Sequence, residues 1–212
     1  MRIFLAGATG AIGRLLVPLL LAEGHQVTAL TRQDPSAIHG ATAVIGDVYD
    51  ATRLREVPAT WPTRTTAAGE WSRRWRNWRR SPPRRRSGWC CGTGCCTAPA
   101  PGTRRAPLMA DLAAAGALPA GPEITSFLHV EDAAIAAVQA LHWPSGAVNI
   151  VDDEPAPAST WAPVFAQAVG APTPSITDGT RPGWARGASN LHARTQLVWT
   201  PTQPTWRSGF AS

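Results

Sequence analysis

The sequence opens with Met1-Arg-Ile-Phe-Leu-Ala-Gly-Ala-Thr-Gly-Ala-Ile-Gly-Arg14, and this stretch decides the fold. The apolar run at residues 3–5 predicts a short buried strand. Glycines follow at positions 7, 10 and 13, and from Ala11 the apolar residues recur with a helical period that puts on one face Ile12, Leu15, Leu16, Leu19 and Leu20. We expect this helix to end near Glu23, with Gly24 as its left-handed cap. A strand, a glycine turn and a helix in this order predict a phosphate cradle, because the first N–H groups of a helix have no intrahelical partner.

We predict that the whole turn binds a dinucleotide. One glycine allows the sharp turn, another lets the backbone approach a pyrophosphate, and the third lets helix and strand pack closely. The predicted cofactor-binding residues of the turn are Gly7, Ala8, Thr9, Gly10, Ala11, Ile12 and Gly13. A glycine-rich turn without a ligand is the alternative reading.

The spacing Gly-x-x-Gly-x-x-Gly resembles the short-chain dehydrogenase/reductase superfamily, in its extended or atypical branch, which contains the NAD(P)-dependent epimerase/dehydratase family. Other Rossmann enzymes carry Gly-x-Gly-x-x-Gly instead. The resemblance implies an α/β fold, a Rossmann-type doubly wound parallel sheet with a small C-terminal region on the substrate side. It also implies hydride exchange between a nicotinamide and a small carbonyl or sugar-type substrate.

The next two strands carry further predicted cofactor residues. Residues 25–31 alternate as a strand, and Arg32 follows it, 19 residues after Gly13. An acid near this position favours NAD, whereas an arginine favours the 2′-phosphate of NADP. We therefore predict NADP, with NAD as the alternative cofactor and a solvated surface arginine as the alternative role. A third strand ends near Asp47 and Val48, and the resemblance implies that this pair holds the adenine ring; a plain strand-ending aspartate is the alternative.

The middle of the chain has a different composition. All 20 basic residues of the chain are arginine, and eleven lie in residues 60–105 against one glutamate, a net charge of +10. Five of the ten tryptophans and all four cysteines lie there as well. We expect residues 57–107 to be an irregular, disordered Arg/Trp/Cys-rich segment that interrupts the sheet.

Three readings of this segment stay open. Arginines on phosphates and tryptophans on bases are typical of a nucleic-acid arm, but we expect nucleic acid not to be a partner. Four cysteines within seven residues and no nearby histidine do not match zinc-ligand spacing, so no metal is predicted. Frame disruption fits better. Read two bases later from Gly88 with G/C-rich codons, the segment gives Leu-Val-Leu-Arg-Tyr-Gly-Leu-Leu-Tyr-Gly-Pro-Gly-Thr, which is similar to a late strand and turn of the extended family.

Residues 108–212 again resemble the family. We predict a helix at 108–115, a strand at 124–130, a helix to about His142 and a strand at 146–155. Ser159 is predicted to cap a helix that ends at Gly170, and the last helix is predicted at 186–197. The segment Phe127-Leu-His-Val-Glu-Asp-Ala-Ala134 resembles one beside the family's substrate pocket, so His129 either faces substrate or is structural. The predicted domains are thus 1–56, the N-terminal half of the NAD(P)-binding domain, 57–107, and 108–212, the C-terminal part of the reductase fold.

The sequence lacks the residues that carry the family's proton transfer. Its only tyrosine is Tyr49 and it contains no lysine, so the Tyr-x-x-x-Lys pair is missing and the catalytic residues are unknown. We expect poor turnover, and a non-catalytic NADP-binding sensor is the alternative function. No apolar stretch reaches 18 residues, so we expect no membrane association and a cytoplasmic location. Oligomeric state is left open, a homodimer included.

Overall fold

The structure is a computed structural model that describes residues 1–32, 36, 38–47 and 105–210. The chain divides into two compact units, one containing the described residues up to Asp47 together with 144–147, the other containing 105–143 and 148–210. The predicted middle segment lies almost wholly outside the described residues, so its predicted disorder and frame disruption stay predictions. No helix in the described part of the chain is both long enough and apolar enough to cross a membrane.

The N-terminal unit is a parallel sheet with one helix. Strands β1 (Arg2–Ala6), β2 (Gln26–Thr31) and β3 (Thr42–Ile45) pair in the order β1-β2-β3, with β2 in the centre. Both pairings are parallel, and Ile3 lies opposite Val27. Four of the six β2 residues are buried, which matches the apolar composition expected of a central parallel strand.

Helix α1 (Ala11–Ala22) crosses from β1 to β2, as the glycine turn predicts. It buries Gly13, Leu16, Val17 and Leu20, which recur at the spacing of one helix face. Leu19 was expected on this face but is 38% exposed, because it lies one residue before that row. The helix ends at the left-handed Gly24, whose φ of 75° confirms the predicted cap.

The C-terminal unit contains the remaining described elements. Helix α2 spans Arg105–Ala114 and α3 spans Val130–Gln139, followed by a 3₁₀ turn at Ala140–His142. Strands β4 (Ile124–Thr125) and β5 (Ala156–Pro157) pair antiparallel, and β5 leads directly into α4 (Ala158–Ala168). Two short helices follow, α5 at Leu191–Gln196 and α6 at Trp206–Phe210.

The core of the C-terminal unit is aromatic. The Phe127 ring is fully buried and lies 5.6 Å from Trp161, 5.7 Å from Trp206 and 5.5 Å from Phe210, measured between ring centroids. The contacts with Trp161 and Phe210 are edge-to-face, a geometry that the ring quadrupoles favour. Trp206 is also fully buried, so the C-terminal stretch packs into this core.

Two predicted strands are wrong in extent. The strand predicted at 124–130 pairs regularly only at Ile124–Thr125, since residue 129 already caps α3. The segment predicted as a strand at 146–155 forms no strand among its described residues. It makes one backbone hydrogen bond to residues 124–130, from Asp152 N–H to Phe127 O at 2.8 Å. Its carbonyls at Val151 and Asp152 instead accept from the Asn190 side chain, at 3.0 and 3.3 Å.

Two predicted helix starts are also wrong. Pro157, not Ser159, is the N-cap residue of α4, because the N–H groups of Ala158 and Ser159 bond to the carbonyls of Glu123 and Gly121 and need no side-chain cap. The helix predicted from Arg186 begins at Leu191 and is not the last one. Residue 186 instead forms a bridge with Ile124, which holds the chain extended before the helix.

Candidate cofactor site

The glycine turn lies at the carboxyl end of β1, where a Rossmann site is expected. Gly7 has a φ of 84°, a left-handed conformation that side chains rarely adopt. Its carbonyl accepts from Gly10 N–H at 2.9 Å, and its own N–H donates to Leu30 O at 3.4 Å. The turn is therefore closed on itself and tied to the end of the central strand, which confirms its predicted position.

Gly13 is required by close packing. A Cβ placed there would lie 2.2 Å from Gly7 O and 2.7 Å from Ala8 Cα, and both of these are backbone atoms. At Gly10 the corresponding contact, with Gly7 O, is 3.2 Å. The helix thus starts against the turn itself, as predicted for the third glycine of the motif.

The N-terminus of α1 presents an uncompensated positive end. Its first turn contains no acidic residue, and the N-cap residue Gly10 offers no side-chain acceptor. Arg14 N–H bonds to Gly10 O at 3.0 Å and closes the first turn, so the N–H groups of Ala11, Ile12 and Gly13 precede the first intrahelical bond. Ala8 is buried beneath the turn and Thr9 is partly exposed, so the backbone is the main surface offered to a ligand.

Arg32 and Asp47 lie together at the ends of the next two strands. Arg32 directly follows β2, and Asp47 lies two residues after β3. Their Nη1 and Oδ2 atoms are 3.9 Å apart, and the side chains are 77% and 38% exposed. A pair this exposed contributes little to stability, so both groups remain accessible to a ligand. Val48 lies outside the described residues, and its predicted contact with adenine stays a prediction.

The residues present fit a dinucleotide. Any Cβ at Gly13 would collide with the backbone of the turn, so the backbone beside the helix start carries no side chain there. The uncompensated N-terminus of α1 suits a pyrophosphate. The cation of Arg32 and the carboxylate of Asp47 stand at neighbouring strand ends, where the sugar and base of a nucleotide are held in Rossmann folds.

His129 has a structural role in the C-terminal unit. Its Nδ1 accepts from Glu131 N–H at 3.4 Å and so caps α3, and its side chain is 12% exposed. This supports the structural reading over the substrate-facing one. The sequence analysis missed this cap, because it placed residue 129 inside a strand at 124–130 and histidine is not among the usual N-cap residues.

Sequence reasoning missed the carboxylates that hold the C-terminal segment. Asp132 is buried, and its carboxylate accepts from the N–H groups of Thr202 and Gln203 at 2.8 and 3.0 Å. Asp153 accepts from Arg194 Nη1 at 2.6 Å, and Glu154 accepts from Arg207 Nε at 2.9 Å. The acidic run at 152–154 was visible in the sequence, but its partners lie about 40 to 50 residues away, and no sequence pattern predicts which residues they are.

Three adjacent carboxyl groups respond differently to this environment. Burial raises the pKa of Asp152 to about 7, against hydrogen bonds that lower it, and its Oδ2 atom has no hydrogen-bond partner among the described atoms. Burial also disfavours the charged form of Asp153, but hydrogen bonds from Asn190 and Arg194 outweigh it and lower the pKa. The pKa of Glu154 is lowered in the same way by Thr205 and Arg207, against burial.

Comparisons with known proteins agree with this geometry. A family model described as NAD(P)H-binding matches residues 7–59, which contain the glycine turn, Arg32 and Asp47. This match supports the NAD(P)-binding part of the family resemblance. It is 46% identical over 112 residues to a 3-diazoavenalumate denitrifying reductase from a Streptomyces species. That match covers 45% of this chain and 37% of the reductase.

Solved structures show the same Rossmann-like α/β fold. Bordetella bronchiseptica WbmH, solved in complex with NAD⁺, matches with a TM-score of 0.62 and 13% identity over 99% of this chain and 96% of its own. The human epimerase family protein SDR39U1, solved with NADPH, matches with a TM-score of 0.56 and 14% identity over 100% of this chain and 98% of its own. The predicted fold class is thereby confirmed in its parallel α/β sheet, and binding of NAD(P) is supported without a choice between NAD and NADP.

Proposed function

We propose that this chain is an NADP-binding reductase of the epimerase/dehydratase type. The observation that carries the proposal is the meeting of three features in one unit: the closed glycine turn, the uncompensated start of α1, and Arg32 beside Asp47. The first two suit a pyrophosphate of either cofactor. Only Arg32 distinguishes them, because a guanidinium can bind a 2′-phosphate with two parallel hydrogen bonds.

Asp47 forms an ion pair with Arg32. At 3.9 Å between Nη1 and Oδ2 the pair is loose, and Arg32 is 77% exposed, so its guanidinium can turn to a phosphate without losing a strong bond. A bound 2′-phosphate would be a stronger partner than this carboxylate, since it carries more charge at closer reach. Asp47 would meet the adenine ring, the role that the family resemblance implies for it.

When bound, the nicotinamide supplies a hydride, and the chain's own residues bind, orient and shield the cofactor. We propose a small-molecule substrate that accepts this hydride. The reductase relative is named a 3-diazoavenalumate denitrifying reductase. On an aryl diazonium cation, hydride can form the new C–H bond while the C–N bond breaks and N₂ leaves with its electron pair, so this step needs no proton donor. A sequence without Tyr-x-x-x-Lys is compatible with such a substrate class. It is less suited to a carbonyl, whose reduction needs a positioned acid.

The same missing pair favours a second candidate, an NADP-binding sensor without turnover. The two functions share the binding site and differ only in hydride transfer. Binding with slow consumption of NADPH, whether the acceptor is a carbonyl or an aryl diazo compound, would favour the sensor. Release of dinitrogen in step with NADPH oxidation would favour the reductase.

Calorimetric titration of the full chain with NADPH and NADH tests the cofactor proposal. We expect NADPH to bind about tenfold or more tightly, the equivalent of one charge-assisted contact. Arg32→Asp should erase or reverse this preference. Arg181→Asp makes the same charge change at an exposed arginine of the other unit and should leave it unaltered. Equal affinities for the two cofactors in the wild type would contradict the assignment of Arg32.

A further inference from the structure

Arg14 lies on the first turn of α1 and folds back over the glycine turn. Its Nε donates to Thr9 O at 2.9 Å, while its backbone N–H closes the helix on Gly10 O at 3.0 Å. A side chain at this helical position points toward the N-terminus, which directs the guanidinium to the turn. Arg14 is therefore bound at both its main chain and its side chain to the two residues that precede α1.

Arg14 places its positive charge at the N-terminus of α1. A helix N-terminus carries a partial positive charge, so a cation in the first turn opposes it, and acids are the residues that suit the position. The first turn of α1 contains no acid. The guanidinium, the helix N-terminus and the N–H groups of the first turn all place positive charge on one small surface, which suits a bound diphosphate.

We propose that Arg14 is a positioning residue for the cofactor pyrophosphate. It holds the Thr9 carbonyl through Nε and adds one positive charge to the surface that the diphosphate occupies. This inference rests on the proposed dinucleotide site and gives the two cations of that site different roles. Arg32 binds the 2′-phosphate, and Arg14 supports the pyrophosphate.

Two fragments of the cofactor separate these two roles. ADP carries the pyrophosphate without a 2′-phosphate, and 2′-AMP carries the 2′-phosphate without a pyrophosphate. Arg14→Gln keeps an N–H donor able to reach Thr9 O but removes the charge, and Arg14→Lys keeps the charge. In titrations of the full chain, Arg14→Gln should weaken ADP binding about tenfold and leave 2′-AMP within twofold. Arg14→Lys should restore most of the ADP affinity, and Arg32→Asp should give the reverse pattern for the two fragments.

A salt series adds a readout that a purely structural role would not move. Loss of one phosphate-facing charge should make the dependence of log Kd for ADP on log salt shallower in Arg14→Gln than in the wild type. Unchanged ADP affinity and salt slope in Arg14→Gln, with the wild type binding ADP, would overturn the role of Arg14 alone. A wild type that binds neither ADP nor NADPH would overturn the proposed function and this inference together. Thermal unfolding of each variant verifies that it is folded.

Discussion

Gly13→Ala tests the central structural claim, that the turn and helix meet too closely for any side chain. The new Cβ would start 2.2 Å from Gly7 O, 2.7 Å from Ala8 Cα and 2.8 Å from the Ala8 carbonyl carbon. Carbon–oxygen contacts rarely fall below about 3.3 Å, so the backbone of the turn must move by about 1 Å. None of these three atoms belongs to a flexible side chain, so rotation cannot relieve the contact.

The expected cost follows from this displacement. Overpacking a close contact destabilises a protein by about 1–3 kcal/mol, and we expect a loss of stability in this range. Moving the turn also misaligns the N–H groups that we propose bind the phosphates, so NADPH should bind at least about tenfold more weakly. Urea unfolding measures the first effect and calorimetric titration the second.

Two matched glycines make the result specific. Gly10→Ala meets its nearest atom, Gly7 O, at 3.2 Å, and its φ of −75° suits any residue, so both effects should be smaller. Gly24→Ala has no atom within 4 Å but a φ of 75°. It should therefore lower stability by about 1 kcal/mol through strain and leave NADPH affinity unchanged. A Gly13→Ala protein with wild-type stability and wild-type affinity would refute the reasoning.

Three further predictions concern the rest of the chain. Burial raises the pKa of Asp152 from 3.8 to about 7, so the contribution of this carboxyl group to stability is full below pH 4 and is lost as the pH rises to 7. Relative to Asp152→Asn, the wild type should lose about 1.4 kcal/mol of unfolding free energy per pH unit over that window. A difference between the two proteins in urea unfolding that does not change with pH would count against this prediction. Val198 is 86% exposed and has a φ of 55°, so Val198→Gly should stabilise the protein by about 1 kcal/mol. Val169→Gly, at a φ of −95°, should not stabilise it. Equal effects of the two changes on thermal unfolding would contradict the strain argument. The coding DNA read two bases later from Gly88 should encode a near match to Leu-Val-Leu-Arg-Tyr-Gly-Leu-Leu-Tyr-Gly-Pro-Gly-Thr, and a stop codon in that frame would instead favour a genuine Arg/Trp segment.

The sequence alone determined the N-terminal unit closely. The strand, the glycine turn, the helix capped at Gly24 and the position of Arg32 after the second strand all stand where the pattern predicts them. These features depend on neighbours in sequence: a turn needs a residue with positive φ, and a helix needs its apolar period. The pairing of Arg32 with Asp47 was not predicted, and it arises because β2 and β3 are adjacent parallel strands whose carboxyl ends meet at one edge.

Only the tertiary structure decided the C-terminal unit. Residues 150–152 have the composition of a strand, but the Asn190 amide takes two of their carbonyls and Asp152 N–H pairs with Phe127 O. The start of α4 needed no capping side chain because distant carbonyls at residues 121 and 123 accept its first N–H groups. Local sequence states what each segment prefers. Which distant group satisfies a backbone donor or a buried carboxylate is fixed only when the folded chain brings the two together, because an unpaired buried polar group costs more than a local preference can offset.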